Sequence, residues 1–176
     1  MINRIAQFYK VSYEQWVKDM QANGYELCSE ERTLRDAYDR IELPTRATTG
    51  SSGYDFKSPF DFTLDYGETI VIPTGIRASM DEGWWLMCMP KSGQGFKYRV
   101  QLDNTIANID SDYYFSDNEG HILVKLTHNG AKRDAMSVRS GQGFMQAVFV
   151  PFGITYDDDA SGVRNGGFGS TEKKKS

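Results

Sequence analysis

Apolar residues recur at two different spacings along this chain, and the change falls near Pro44. Ahead of it the spacing is helical. Within "KVSYEQWVKDMQANG", Tyr13, Trp16, Val17 and Met20 share one face, and Gly24 marks the stop. Ser12 and Gln15 stand at capping-box spacing, with Val11 and Trp16 placed for a hydrophobic staple. A second helix starts at Ser29, carries Leu34, Ala37, Tyr38 and Ile41 as its apolar stripe, and ends before Pro44. Both stripes read as packing faces of an N-terminal α-helical hairpin, residues 1–45. This appendage covers part of the main domain or a neighbouring subunit.

Beyond Pro44 the texture becomes that of strands. "FDFTLDYGETIVIP" reads as strand, Gly-containing turn, strand, and "TGIRASMDEGWWLMCMP" repeats that grammar around "DEG". "HILVKLTHNGAKRDAMSVRSGQGFMQAVFVPF" does so again, broken at Asn129-Gly130 and Ser140-Gly141. Many short strands at this spacing predict an antiparallel sandwich or barrel over residues 46–160, with a jelly roll the natural candidate. The fold class is therefore mainly β, with the helical hairpin in front. The end of the chain, "SGVRNGGFGSTEKKKS", has the composition of a flexible terminus. Yet Arg164, Phe168, Ser170 and Thr171 stand close together among its glycines.

Composition narrows the chemistry. With 176 residues, 25% of them charged and 13% aromatic, the chain is expected to form one globular domain, or one domain with an appendage. A net charge of −4 argues against nucleic-acid binding, which draws on a basic face. Two cysteines and two histidines, without CxxC spacing, argue against a disulfide framework or a protein-held metal centre. Cys88, within "WWLMCMP", reads as a buried thiol. The N-terminus is too polar for a signal peptide and no apolar run reaches membrane-span length, so a soluble, cytoplasmic protein is expected.

Four polar clusters interrupt the strands: "TTGSSGYDF", "MPKSGQGFKY", "LDNTIANIDSDYYFSDNEGHI" and "GQGFMQAVFVPF". Each has an ordinary reading as a turn, an acidic loop or a strand Gln facing water. Together with the tail they are coherent. Lys91 followed by small residues suits phosphate oxygens, and an Asp near an aromatic can orient a water while the aromatic stacks a ring. A mobile segment bearing Arg and Phe can close over an anion and a base. That combination is phosphoryl or nucleotidyl chemistry.

In this order, "SSGYDF", "PKSGQG", "LDNTIANIDSDY", "GFMQAVFVP" and "RNGGFGST" resemble the five motifs of the trimeric dUTP pyrophosphatase (dUTPase) family. The resemblance spans Ser51 to Thr171. It implies a jelly-roll homotrimer that converts dUTP and water to dUMP and pyrophosphate, with Mg²⁺ carried on the triphosphate and active sites shared between subunits. It makes Asp110 the carboxylate that activates the attacking water. Tyr113 would pack on the deoxyribose, and Asn104, with the hairpin that includes Ile109, would read the uracil edge. Lys91, Ser92 and Gly93 would hold the α- and β-phosphates, with Gln146 nearby and Asp55 in support. Arg164 would pair with the γ-phosphate and Phe168 would stack over uracil beside Gly169. Ser170 and Thr171 would add phosphate contacts. The third and fifth motifs of one site would come from different subunits, the arm of residues 161–176 closing a neighbour's site.

The chain departs from the family pattern at several points. Lys91 replaces the usual Arg of the second motif, and Gly143 stands where many members have Arg. Ala107 and Asn108 replace a glycine and an apolar residue, five residues are added between Tyr113 and Gly120, and Arg164 lies two positions nearer its glycines. These departures leave two alternatives beside dUTP hydrolysis: a dCTP deaminase-like enzyme, or a nucleotide-binding regulatory protein with weakened catalysis.

Overall fold

The structure, a computed structural model, describes residues 3–25, 31–130, 134–164 and 166. Among these, the chain starts with a strand that the hydrophobic pattern does not announce, β1 (Ala6–Lys10), followed by helices α1 (Tyr13–Ala22) and α2 (Glu31–Asp39). Next come β2 (Thr45–Arg46), β3 (Tyr54–Lys57), β4 (Phe62–Leu64), β5 (Thr69–Pro73), β6 (Ile76–Met80) and β7 (Trp84–Pro90). A short helix, α3 (Ser92–Tyr98), leads to β8 (Val100–Leu102) and β9 (Ala107–Asp110). The last strands are β10 (Leu123–His128), β11 (Met136–Val138) and β12 (Gly143–Pro151). Ser29, the expected start of the second helix, and Cys28 lie outside the described residues.

The central sheet runs β2-β3-β12-β7-β9, and a second runs β5-β10-β8. Two-stranded ribbons β1-β6 and β11-β4 complete a mainly β jelly-roll architecture, and every pairing described is antiparallel. The turns fall where the sequence places them, with Gly67 and Gly83 at φ 84° and 83°. The strands on either side of each turn nonetheless separate. β4 pairs with β11 while β5 pairs with β10, and β6 pairs with β1 while β7 joins β12 and β9.

One core holds the molecule together, and the hairpin is part of it. Trp16, Met20 and Ile41 are buried with Phe56, Ile72, Leu86, Phe144 and Met145. Tyr13, Val17, Leu34, Ala37 and Tyr38 pack against that core, as the two helical stripes require. The Trp16 indole N–H donates to the Pro73 carbonyl at 3.2 Å. Cys88 is buried, and burial pushes its thiol up to about 12.

The α1 cap is half as expected. Ser12 Oγ accepts from the Gln15 N–H at 3.1 Å, but the Gln15 amide turns away to Asp19 at 2.8 Å. Glu119 takes over the other half of the capping box, accepting the Ser12 N–H at 2.8 Å and the Ser12 hydroxyl at 2.6 Å. Burial works against the Glu119 carboxylate, but the two Ser12 bonds hold its pKa below the usual value. The residues added after Tyr113 are thereby fastened to the N-terminal helix.

Candidate active site

The central sheet carries polar groups at both ends of β7. At its C-terminal end, Gln146 on β12 lies opposite Asp55 on β3 and Met89 on β7. Opposed residues share a face, so this register puts Asp55 and Gln146 side by side. β7 ends at Pro90, and Lys91 caps α3, whose first N–H groups, on Ser92 and Gly93, have no preceding helical carbonyl to bond. Lys91 Nζ lies 2.7 Å from Asp55 Oδ2. Two glycines make room. A Cβ on Gly143 would sit 3.0 Å from Lys91 Nζ, and one on Gly53 would sit 3.1 Å from Gln146 Oε1. Lys91 therefore occupies space that a side chain at position 143 would claim, and the two departures from the family pattern fit each other.

At the other end, Asp110 closes β9 opposite Trp85. The strand alternates, with Ala107 and Ile109 in the core and Asn108 and Asp110 outward. Any contact between Ile109 and a ligand outside the core is therefore through its backbone. Asn108 Nδ2 donates to Asp110 Oδ1 at 3.0 Å. The Arg164 guanidinium bonds Asp110 Oδ2 through Nη2, and Asp112 Oδ1 through Nε at 2.8 Å. It also lies 5.9 Å from the centre of the Tyr113 ring. Tyr113 itself is buried. Its hydroxyl donates to the His121 carbonyl at 2.9 Å and accepts from Asn118 Nδ2 at 2.8 Å, and burial raises its pKa.

A slot opens where β9 begins, beyond Ala107, which pairs with Cys88 of β7. β8 pairs with β10 and β9 with β7, so the turn 103–106 bridges two sheets and its arms diverge. The opening leads into a cavity of about 420 Å³ lined by Leu102, Asn104 and Ala107 from the two arms. Asn104 thus stands at a cavity large enough for a pyrimidine ring.

Asp55, Lys91 and Gln146 come together at one end of β7, and Asp110, Tyr113 and Arg164 at the other. Asp110 and Lys91 are separated by six residues of β7, about 20 Å at the rise of a strand. Phe168, Gly169, Ser170 and Thr171 lie outside the described residues. Arg164 bonds Asp110 of its own chain, whereas the resemblance sends the arm to a neighbour's site. Exposed carboxylates are the strongest partners that a lone chain offers a guanidinium. Asn108, Asp112 and Asn118 were not assigned a role from the sequence. Asn108 has a signal, because a polar residue two positions before Asp110 shares its face of the strand.

A family model described as dUTPase matches residues 39–172. A deoxyuridine 5'-triphosphate nucleotidohydrolase of Hahella chejuensis is 38% identical over 142 residues, covering 76% of this chain and 89% of that one. The enzyme of the same name from Paraburkholderia phymatum is 34% identical over 142 residues, covering 76% and 91%. Among solved structures, a dUTPase from Streptococcus mutans superposes with a TM-score of 0.57 at 30% identity, over 66% of this chain and 90% of that one. A mutant dUTPase from phage phi11 of S. aureus, described with a structural Mg(II) ion, reaches 0.61 at 16% identity, over 90% and 98%.

Proposed function

This chain belongs to the dUTPase family and hydrolyses dUTP to dUMP and pyrophosphate, and we propose that it does so in sites that copies of the chain build together, as a homotrimer. The observation that carries the proposal is the separation of the two polar clusters. A triphosphate held at Lys91 is about 20 Å along β7 from Asp110 of the same chain, too far for the acid to serve it. A neighbouring copy that presents its Lys91 end to this Asp110 end closes the gap, and a cyclic arrangement repeats the contact.

In such a site the base enters the slot beside Asn104, and the deoxyribose packs on Tyr113, whose pinned hydroxyl fixes the ring. Lys91 and the N–H groups of Ser92 and Gly93 hold the α- and β-phosphates, with Gln146 beside them. Arg164 leaves Asp110 for the γ-phosphate, which accepts a guanidinium bidentately. Phe168, with Gly169, covers the base, while Ser170 and Thr171 contact phosphate. The freed Asp110 carboxylate, steadied by Asn108, orients a water in line with the α-phosphorus and takes its proton. The new bond forms from water oxygen to the α-phosphorus, the α–β bridging bond breaks, and pyrophosphate leaves.

Among the described residues, no group of three or more His, Cys, Asp or Glu side chains is arranged to hold a metal ion. In this reading Mg²⁺ would arrive bound to the triphosphate, where it would neutralise phosphate charge. Among the described residues no helix is long and apolar enough to cross a membrane. This reading places the enzyme with its nucleotide substrate in the cytoplasm. The test is pyrophosphate release from dUTP, dCTP, dTTP and UTP, alongside the mass of the particle in solution. Preference for dUTP by a particle of three chains is expected. Full activity in a monomer would overturn the shared site.

A further inference from the structure

Residues 1–38 precede the stretch matched by the family model, yet α1 lies against the slot that the family reading assigns to the base. Asp19 and Asn23, one helical turn apart, line the same cavity as Asn104 and Ala107. Their position is fixed from both sides. The Ser12 cap ties the start of α1 to Glu119. Further along, His121 is fully buried with Nδ1 2.5 Å from Asp19 Oδ2. The Gly75 N–H donates to His121 Nε2 at 2.8 Å, so the ring proton sits on Nδ1 and points at Asp19. Asn23 Nδ2 donates to the Asp19 carbonyl at 2.8 Å, which holds the second side chain beside the first.

We infer that α1 supplies a wall of the base slot, with Asp19 as a specificity-determining acceptor and Asn23 as its steric limit. The inference rests on the dUTPase reading of the slot and adds residues from outside the family match. Among the described residues, the side-chain bonds to Asp19, from His121 and from Gln15, end on Oδ2 and leave Oδ1 for a ligand. Burial works against the charged form, but those bonds keep the Asp19 pKa below its usual value, so the group accepts and does not donate. Uracil offers such an acceptor its N3–H. Cytosine offers a lone pair at the same ring position. A buried mismatch of that kind discriminates more strongly than a change of volume.

Two variants test this, each first checked for an unaltered thermal transition. Asp19→Asn keeps an oxygen for the His121 proton and adds an N–H donor facing the slot. The ratio of kcat/KM for dUTP over dCTP is expected to fall about tenfold or more. Asn23→Leu alters an exposed position, where the fold tolerates the change, and fills the slot. The KM for dUTP and the Kd of a non-hydrolysable imido analogue of dUTP are expected to rise about tenfold, with kcat within about twofold. If the wild-type enzyme prefers dUTP while Asp19→Asn keeps its selectivity and Asn23→Leu its affinity, the wall is elsewhere and this inference fails alone. If the wild-type enzyme releases no pyrophosphate from dUTP, the function reading fails instead. In that case, imido-analogue binding to the wild type that Asn23→Leu does not weaken overturns the wall as well, and so does no binding at all.

Discussion

At the Lys91 end of β7, polar side chains are placed by backbone ladders, whereas at the Asp110 end they are placed by one another. Asp55 and Gln146 are side by side because β3 and β12 are paired in a fixed register, and Lys91 follows directly from β7. Asp110 also ends a paired strand, but its carboxylate takes its orientation from Asn108 and from Arg164, which arrives on the segment after β12. Ladder hydrogen bonds across three strands do not exchange partners without unfolding, and ion pairs to carboxylates open to water exchange readily. The first end suits a phosphate cradle that must be rigid. The second suits an acid that must change partners during turnover.

The largest break in this comparison comes from Asp110→Asn. The side chain is 40% exposed, so the fold tolerates the substitution. An amide cannot take the water's proton, and kcat for dUTP should fall by about 10²–10⁴-fold. Binding of the imido analogue should stay within a few-fold of wild type, because the proposed phosphate cradle at Lys91 is untouched. Turnover near the wild-type value would remove Asp110 from the role of base.

A smaller effect, though more diagnostic of assembly, is recovery on mixing. Asp110→Asn and Lys91→Ala damage opposite ends of β7, and in the proposed trimer each variant alone should be nearly inactive. Chains of the two variants, co-expressed at equal levels, should regain about one quarter of wild-type activity. Each site draws an intact Asp110 from one copy and an intact Lys91 from another, and each draw succeeds half the time. Mixed particles separated by differential tags that are as inactive as their parents would show that one chain serves both ends.

What the sequence discloses divides along the same line. The turns at Gly67, Gly83 and Gly141 and the stripes of α1 and α2 are local, and local chemistry makes them legible. Strand partners depend on contacts between distant segments, so the split between β4 and β5 across a four-residue turn leaves no local trace. β1 was missed because Phe8 is its only core residue, which leaves no alternation to read. The sequence of α3 reads as a turn because of Gly93 and Gly95. Glu119 replaces Gln15 in the cap from 107 positions away. The family was legible through the order of its motifs. The ion pair of Lys91 with Asp55 and the fit of Lys91 over Gly143 needed the sheet.

Gly143→Ala gives the smallest effect and tests that fit. The position has no left-handed backbone requirement, and the nearest atoms to the added Cβ belong to the far half of the Lys91 side chain, with Nζ at 3.0 Å and Cδ at 3.3 Å. A flexible chain can yield a few tenths of an ångström, so little stability should be lost, and the lower entropy of the unfolded Ala variant offsets part of the loss. The Lys91 ammonium has less freedom, because Asp55 holds it at 2.7 Å from the other side. The displacement should therefore appear in phosphate binding, as a rise of about two- to threefold in KM for dUTP with kcat nearly unchanged. Gly153→Ala is the control, since a Cβ there meets nothing within 4 Å and the position lies outside the five motifs. Equal KM values for the two variants would mean that Lys91 does not depend on the space above residue 143, and that the Lys-for-Arg and Gly-for-Arg departures are independent.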